Sequence, residues 1–186
     1  MDRIVWIEQV DILHNEKILI DTNIWVMIEG FNEGAPRKKV EIYSSAYDTL
    51  LKNDNAILYN DHIINEFFNI CARIAYANFQ HSNRDPSITF KKFRKSDDFR
   101  AAMRLVQESC LNIIESSTPT DVGSSKDIRR TVQELCEGTL DFVDLILRDY
   151  CLSEKVMILT DDSDFRGSGL TIITANRTML RPDSTC

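Results

Sequence analysis

The chain has 186 residues, 43% hydrophobic and 27% charged, a balance that is typical of one globular domain (residues 1–186) and excludes disordered or collagen-like chains. The net charge of −7, from 22 basic and 29 acidic residues, is by itself unfavourable for nucleic-acid binding. Early charges at Asp2, Arg3 and Glu8, and the lack of any apolar run of about 18 residues, argue against a signal peptide and a membrane span, so we expect a cytoplasmic protein with no membrane contact.

The N-terminal third predicts a buried strand followed by a helix. Residues 1–16 form an ambiguous N-terminal extension, in which residues 4–13 suit either a short helix or an added edge strand. Residues 17–20 are the first clear strand, because the unbroken apolar run Ile18–Ile20 is typical of a strand buried on both faces; the strand ends at Asp21. After a turn-rich stretch, a helix is predicted over residues 36–53, with Pro36 in its first turn.

The next elements repeat this alternation. A second strand is predicted over residues 56–59, and Asn60 or Asp61 is expected to cap a helix that runs from residue 62 to about 79. Residues 80–95 are polar and basic and contain the breakers Asn83, Asp85 and Pro86. We therefore expect an exposed basic excursion over about residues 80–97.

The C-terminal half is expected to complete a parallel sheet. A helix is predicted over residues 97–110, a weak strand over 111–114 and a loop over 116–125. Two helices, 126–137 and 139–151, and two strong strands, 156–159 and 170–173, follow. Strands that alternate with helices indicate an α/β protein with a mostly parallel central sheet covered on both faces.

The basic excursion changes what the net charge implies. Between Arg84 and Arg104, seven basic residues accompany three acidic ones, a local balance of +4 that leaves −11 for the rest of the chain. Phe90 and Phe93 alternate with cations there, as on surfaces that bind single-stranded nucleic acid. The alternative is a solvated basic loop in which both phenylalanines are anchors into the core. The candidate RNA-binding residues are Lys91, Lys92, Arg94, Lys95 and Arg100.

Carboxylates follow the predicted strands at the edge where ligands of parallel sheets collect. The first strand leads to Asp21, and residues 156–159 lead to Asp161 and Asp162. Helices begin at the same edge, so Glu66 and Asp144, each five residues beyond a predicted helix start, can reach the same pocket. Each acid alone also fits a turn, a cap or a solvated surface, and the ordered set is the stronger signal.

Carboxylates that converge on one pocket would repel each other unless a cation held them. Neither the five cysteines nor the three histidines have the spacing of a zinc site, whereas Mg²⁺ and Mn²⁺ favour carboxylate and water ligands. Such a site suits phosphodiester hydrolysis, because the ion lowers the pKa of a water and stabilises negative charge on phosphorus and the leaving oxygen.

Four segments of this chain resemble the acidic motifs of PIN-domain ribonucleases, including the VapC-type toxins: ILIDTNIW, NDHIINEF, DFVDLILRDYCLSEKVMILT and LTDDSDF. LTIITANRTML is similar to the last strand and turn of that family. The resemblance implies a three-layer α/β/α sandwich and Mg²⁺- or Mn²⁺-dependent endonucleolytic cleavage of RNA. We expect 5′-phosphate and 3′-hydroxyl products.

The resemblance also implies which residues form the site. The spacing from Asp144 to Thr160 selects Asp144 over Asp141 as the third acid. The catalytic and metal-binding acids carried over are Asp21, Glu66, Asp144 and Asp162. The auxiliary residues are Thr22, Asn23, Asp141, Thr160 and Asp164.

The sequence therefore predicts a metal-dependent endoribonuclease, and the resemblance suggests the toxin of a toxin–antitoxin pair. The partners to consider are an RNA substrate, an antitoxin protein and a second copy of the chain in a homodimer. One alternative is a catalytically inactive PIN-like module that binds RNA or protein, and another is a DNA-directed nuclease. A phosphatase of the haloacid-dehalogenase type is disfavoured, because its nucleophile motif requires an aspartate where this chain has Asn23.

Overall fold

The computed structural model describes residues 2–32, 34–83, 87–123 and 127–180, and strands from both halves of the chain meet in one parallel sheet. The order of the strands across the sheet is β1-β6-β5-β2-β3-β4. All the pairings are parallel. The strands are β1 (Arg3–Trp6), β2 (Lys17–Ile20), β3 (Ala56–Tyr59), β4 (Thr118–Pro119), β5 (Met157–Leu159) and β6 (Thr171–Thr174).

Helices connect the strands and cover the sheet. Short 3₁₀ segments lie at Ile7–Ile12, Ser163–Phe165 and Arg177–Leu180. No helix in the described ranges is long and apolar enough to cross a membrane. The α-helices are α1 (Thr22–Ile28), α2 (Arg37–Lys52), α3 (Asp61–Asn83), α4 (Phe90–Phe93), α5 (Asp97–Ser116), α6 (Ile128–Leu135) and α7 (Phe142–Glu154).

The sheet has helices on both faces. Helix α1 contacts α2 and α3, α3 contacts α5, and α6 contacts α7. Because crossovers between parallel strands are right-handed, the path β2–β3–β4 places its helices on one face, and the return from β4 to β5 places α6 and α7 on the other. The chain is therefore a three-layer α/β/α sandwich, as the sequence predicted.

The central strands are buried because their sequences are continuously apolar. The three residues Ile18, Leu19 and Ile20 of β2 have no exposed surface, and neither have Ile158 and Leu159 of the neighbouring β5. A strand covered by helices on both faces has no solvent side, which is why it shows no polar alternation. The predictions over residues 17–20, 56–59, 156–159 and 170–173 are each confirmed to within a residue.

The N-terminal extension combines both predicted alternatives. Strand β1 adds to the edge of the sheet beside β6, and the 3₁₀ helix Ile7–Ile12 follows it. The carboxylate of Asp2 accepts hydrogen bonds from the backbone of Gly167 and Gly169, both at 2.6 Å. The extension is thus tied to the loop that joins β5 to β6.

The strand predicted over residues 111–114 is wrong. Helix α5 continues through these residues, because Cys110 and Ile113 are buried at helical spacing while Leu111 is exposed. The edge strand is instead the two-residue β4, which pairs with β3. Helix α1 was not predicted from the sequence, because it begins within the turn-like Asp-Thr-Asn motif, with Asp21 as its N-cap.

The loop predicted over residues 80–95 is also wrong where the structure describes it. Helix α3 extends to Asn83, and α4 is a separate helix whose cap, Thr89, accepts a hydrogen bond from the backbone of Lys92. Phe93 is buried, with its ring 5.6 Å from that of Tyr76. Residues 84–86 of the predicted excursion, including Arg84, lie outside the described residues. This stretch is therefore anchored by aromatic packing.

Helices α6 and α7 are placed slightly differently from the sequence-based prediction. The helix predicted over residues 126–137 is Ile128–Leu135 in the structure. The helix predicted over residues 139–151 begins at Phe142, because Asp141 is its N-cap, and it ends at Glu154. The later start moves Asp144 into the first helical turn.

Candidate active site

The topology creates a crevice at the carboxyl ends of β2 and β5. Strand β2 lies between β3, to which the chain continues, and β5, which follows only after the chain has returned across the sheet. The strand order therefore reverses between β2 and β5. Ligands of open parallel sheets bind at such a switch point. Asp21 and Thr160 directly follow β2 and β5, and the Asp21 amide donates to the Leu159 carbonyl at 3.0 Å.

A hydrogen-bond network fixes the carboxylate of Asp21. Its Oδ2 accepts hydrogen bonds from Thr160 Oγ1 and Asn23 Nδ2, both at 2.6 Å. Asn23 Nδ2 also donates to Thr160 Oγ1 at 3.1 Å, and the backbone amide of Asp162 donates to the same hydroxyl at 3.0 Å. The buried hydroxyl of Thr160 therefore joins the ends of the two strands.

Glu66 reaches the crevice from the second turn of α3. Asn60 caps this helix, because its Oδ1 accepts from the amides of His62 at 2.9 Å and Ile63 at 3.2 Å. Thr22 Oγ1, in the first turn of α1, donates to Glu66 Oε2 at 2.8 Å. Thr22 thus holds one oxygen of Glu66 in place.

Asp144 and Asp141 have different structural roles. Asp141 Oδ1 accepts a hydrogen bond from the Asp144 amide at 2.9 Å, which makes Asp141 the N-cap of α7. Asp144 lies within the first turn, and its side chain is partly buried. Its position supports the choice of Asp144 as the acid of this helix.

Asp161 and its neighbour Asp162 have different contacts in the structure. The carboxylate of Asp161 accepts a hydrogen bond from the Tyr43 hydroxyl at 2.7 Å and forms an ion pair with Lys39 Nζ. Asp162 instead faces the crevice, and its Oδ1 accepts from the Asp164 amide at 2.9 Å. Of Asp161 and Asp162, Asp162 is therefore the one that a ligand in the cleft can reach.

The predicted acids surround one cleft of about 560 Å³. Leu135, Gly138 and Leu140, at and after the end of α6, form a wall of this cleft. Thr22 and Thr160 are buried next to it. Its acidic side chains are Asp21, Glu66, Asp141, Asp144, Asp162 and Asp164.

Burial and mutual repulsion raise the pKa of two of these carboxyls. The pKa of Asp21 rises to about 6, mainly through burial and further through the charges of Glu66 and Asp162, against the Thr160 hydrogen bond. The pKa of Asp144 rises to about 7, again mainly through burial, with Asp141, Asp21 and Glu66 adding repulsion. The cleft thus concentrates negative charge that a cation would relieve.

The donor set fits a hard divalent cation. The groups facing the cleft are carboxylate oxygens, which Mg²⁺ and Mn²⁺ prefer, and no cysteine lines it among the described residues. Within the described ranges, no three His, Cys, Asp or Glu side chains stand close enough together to ligate one ion. Binding of an ion by three of these acids would therefore require their side chains to rotate inward.

The predicted RNA-binding residues lie outside the cleft. Lys91 and Lys92 are exposed on α4, and Arg94 and Lys95 are exposed just after it. Arg100 pairs with Asp97 at 2.5 Å. Phe93 is buried and Phe90 packs on Tyr76 at 5.3 Å, so both phenylalanines are anchors, which is one of the two alternatives that the sequence left open.

Three residues that brace the β5 loop were missed from the sequence. Tyr43 and Lys39 on α2 bind the side chain of Asp161, and Asn176 Nδ2 donates to its carbonyl at 2.7 Å. Burial raises the pKa of Tyr43 above its ordinary value, so its hydroxyl remains a donor. The one sequence signal was a tyrosine on the apolar face of a helix, which is also typical of simple core packing.

No protein-family model and no curated protein matches the chain. A structural match with 15% identity and a TM-score of 0.50 is VapBC2 from Rickettsia felis, solved bound to a DNA fragment from their promoter; it covers 84% of this chain and 97% of that one. PAE2754 from Pyrobaculum aerophilum, also 15% identical, has a TM-score of 0.47 and covers 90% of this chain and 89% of that one. With the sheet order and the acid-lined switch point, the first match shows that the chain has the VapC-like PIN-domain fold indicated by its acidic motifs.

Proposed function

We propose that the protein is a metal-dependent endoribonuclease that hydrolyses RNA phosphodiester bonds. The observation that carries the proposal is the cleft at the switch point, where Asp21, Glu66, Asp144 and Asp162 arrive from four different elements. Burial and mutual repulsion raise the pKa of Asp21 and of Asp144, so the ionised carboxylates destabilise the folded protein. Carboxyls with such shifted pKa values cluster at functional sites.

Each acid has a role that follows from its support. Asp21 and Asp162 hold the principal ion, because the hydroxyl of Thr160 links the two strands' ends behind them. Glu66 and Asp144 complete the site directly, through water or around a second ion. Thr22 orients Glu66.

Mg²⁺ or Mn²⁺ bound in the cleft would supply a water of lowered pKa and stabilise negative charge on the phosphate and the leaving oxygen. The protein's own part is to position the carboxylates. Asn23 and Thr160 donate to the same oxygen of Asp21, which fixes the orientation of its carboxylate beside the cleft. The side chain of Asp141 caps the turn from which Asp144 projects, and the backbone amide of Asp164 donates to Oδ1 of Asp162.

We further propose that the chain acts in the cytoplasm as the toxin of a toxin–antitoxin pair, with an antitoxin protein as its partner and a homodimer as its assembly. The fold shared with VapBC2 supports this proposal. Expression of the chain alone should then arrest growth. Co-expression of the antitoxin should restore growth, and Asp21→Asn should remove the arrest without it.

Sequencing of RNA ends tests the nuclease. Mixed RNA is incubated with wild type, with Asp21→Asn and with the exposed-site control Asp48→Asn, in Mg²⁺ and in excess EDTA. We expect new 5′-phosphate and 3′-hydroxyl ends with wild type and Asp48→Asn in Mg²⁺ only. Cleavage that persists in EDTA contradicts the mechanism, an absence of cleavage favours an inactive binding module, and faster cleavage of matched DNA favours a DNA-directed nuclease.

A further inference from the structure

A second groove, of about 540 Å³, continues from the acidic cleft along α3. Glu66, Ile70 and Asp141 line both spaces, so the two are contiguous. The groove also passes Asn69 and Arg73 and reaches Ala77. A chain-like ligand whose reacting group lies in the cleft can therefore extend along this helix.

The floor of the groove is one stripe of α3. Glu66, Ile70, Arg73 and Ala77 recur at steps of three and four residues, which places them on one side of the helix. With a rise of 1.5 Å per residue, Glu66 and Arg73 are about 10 Å apart along the helix axis. A cation thus stands two helical turns from the acidic cleft.

The guanidinium of Arg73 is held in position by an aromatic ring. Its Cζ lies 4.0 Å from the centroid of Phe90, which in turn packs against Tyr76 at 5.3 Å and Phe93 at 6.5 Å. In the part of the chain that the structure describes, no carboxylate forms an ion pair with Arg73. Stacking on Phe90 orients the planar guanidinium while its hydrogen-bond donors remain available to a ligand.

Because the cleft is acidic, a nucleic-acid strand that enters it would gain from binding to the cation of Arg73. Among the described residues that line the cleft and the groove, Arg73 is the one Lys or Arg side chain, whereas six acids line the cleft. Phosphate groups beside the reacting one would meet this negative charge, so a strand gains from a cation just outside the cleft. Two more exposed cations, Lys91 and Lys92, directly follow Phe90 in the chain.

We propose that Arg73, stacked on Phe90, binds a backbone phosphate of single-stranded RNA next to the scissile phosphate, with the strand lying in the α3 groove. The proposal rests on the proposed nuclease function. The guanidinium fork suits two hydrogen bonds to phosphate oxygens. The aromatic residues of the basic segment thus serve the RNA indirectly, by positioning Arg73.

Binding is measured by fluorescence anisotropy of a fluorescein-labelled single-stranded RNA of mixed sequence. The full chain carries Asp144→Asn to keep the RNA intact, and Mg²⁺ is present. Arg73→Gln should weaken binding about fivefold, the size expected for one exposed charge contact. It should reduce the slope of log affinity against log salt by about 0.7, the loss of one phosphate contact to a single strand.

Two further variants separate charge from geometry, and one is the control. Arg73→Lys should keep the salt slope and lose part of the affinity, because lysine lacks the planar fork. Phe90→Leu should also keep the slope and weaken binding, since the cation remains but is no longer held. Arg3→Gln removes an exposed arginine from the opposite edge of the sheet and should change neither quantity.

Each outcome decides for or against Arg73. Equal affinity and slope for Arg73→Gln and Arg3→Gln overturn the proposal, as does failure of the parent protein to bind this RNA. A changed sedimentation coefficient for Arg73→Gln with unchanged RNA affinity overturns it in favour of a protein contact in the groove. If RNA binding depends on Arg73 but the native chain does not cleave RNA in Mn²⁺, only the nuclease proposal is refuted. If the native chain cleaves RNA but binding does not depend on Arg73, only this inference is refuted.

Discussion

Replacing Asp144 by asparagine should stabilise the protein at neutral pH while removing one of the four cleft acids. Burial, together with the charges of Asp141 and Asp21, raises the pKa of Asp144 from 3.8 to about 7. Because the folded state holds this proton more tightly than the unfolded state, the wild type loses stability as the pH rises from about 4 to about 7. The asparagine side chain has no such titration.

The size of the effect follows from the same change in pKa. A rise from 3.8 to about 7 corresponds to about 4 kcal/mol of unfavourable free energy for the ionised form. Since the side chain is partly exposed and water screens its charge, we expect about 2 kcal/mol. In a domain of this size, that value raises the melting temperature by roughly 4–8 °C.

Thermal unfolding of both proteins in EDTA, at several values between about pH 4 and about pH 8, measures this difference. The melting temperatures should nearly coincide at the acidic end and separate with increasing pH until the gap becomes constant above the pKa of Asp144. Asp48→Asn, the same chemical change at an exposed position of α2, should show no such widening. A gap that does not depend on pH, or a variant less stable than wild type at neutral pH, would refute the electrostatic reasoning.

Three further substitutions test the supports of the site and of the fold. Thr22→Val removes the hydrogen bond to Glu66 and should weaken Mn²⁺ binding about tenfold in calorimetric titration. Thr22→Ser should restore the affinity, and unchanged affinity in Thr22→Val would contradict the positioning role of Thr22. Tyr43→Phe should lower the free energy of unfolding in urea by about 1–3 kcal/mol, because Asp161 loses a donor, and no loss would mean that water replaces the hydroxyl. Phe93→Ala should lower it by about 3–5 kcal/mol, and a loss below about 1 kcal/mol would show that the aromatic cluster does not anchor α4.

The centre of the fold could be predicted because its signals are local. The apolar runs at residues 17–20 and 156–159 each fill a strand with no solvent face, and the chain turns to polar residues where those strands end. The position of Asp21 at the end of a central strand could therefore be predicted from the sequence alone. The acids on helices were harder to place, because the position of Glu66 depends on the cap at Asn60 and on Thr22, a neighbour 44 residues earlier.

The errors arose where distant contacts decide the structure. Residues 111–114 have the apolar content of a strand, yet Ile113 is buried on the inward side of a long helix that packs on α3. The basic segment at Phe90–Phe93 is ordered by Tyr76, which lies on another helix and cannot be paired with these rings from the sequence alone. The hydrogen bond from Tyr43 of α2 to Asp161 is a distant contact of the same kind, which the sequence did not indicate.

The cleft carboxylates are proposed to bind at least one divalent cation at the switch point of the sheet. Anomalous scattering from crystals grown with Mn²⁺ locates that ion directly. We expect a peak within about 2.1 Å of carboxylate oxygens of Asp21 and of at least one other cleft acid, and its loss in crystals of Asp21→Asn. Manganese bound elsewhere, or retained in the cleft without Asp21, would contradict the claim.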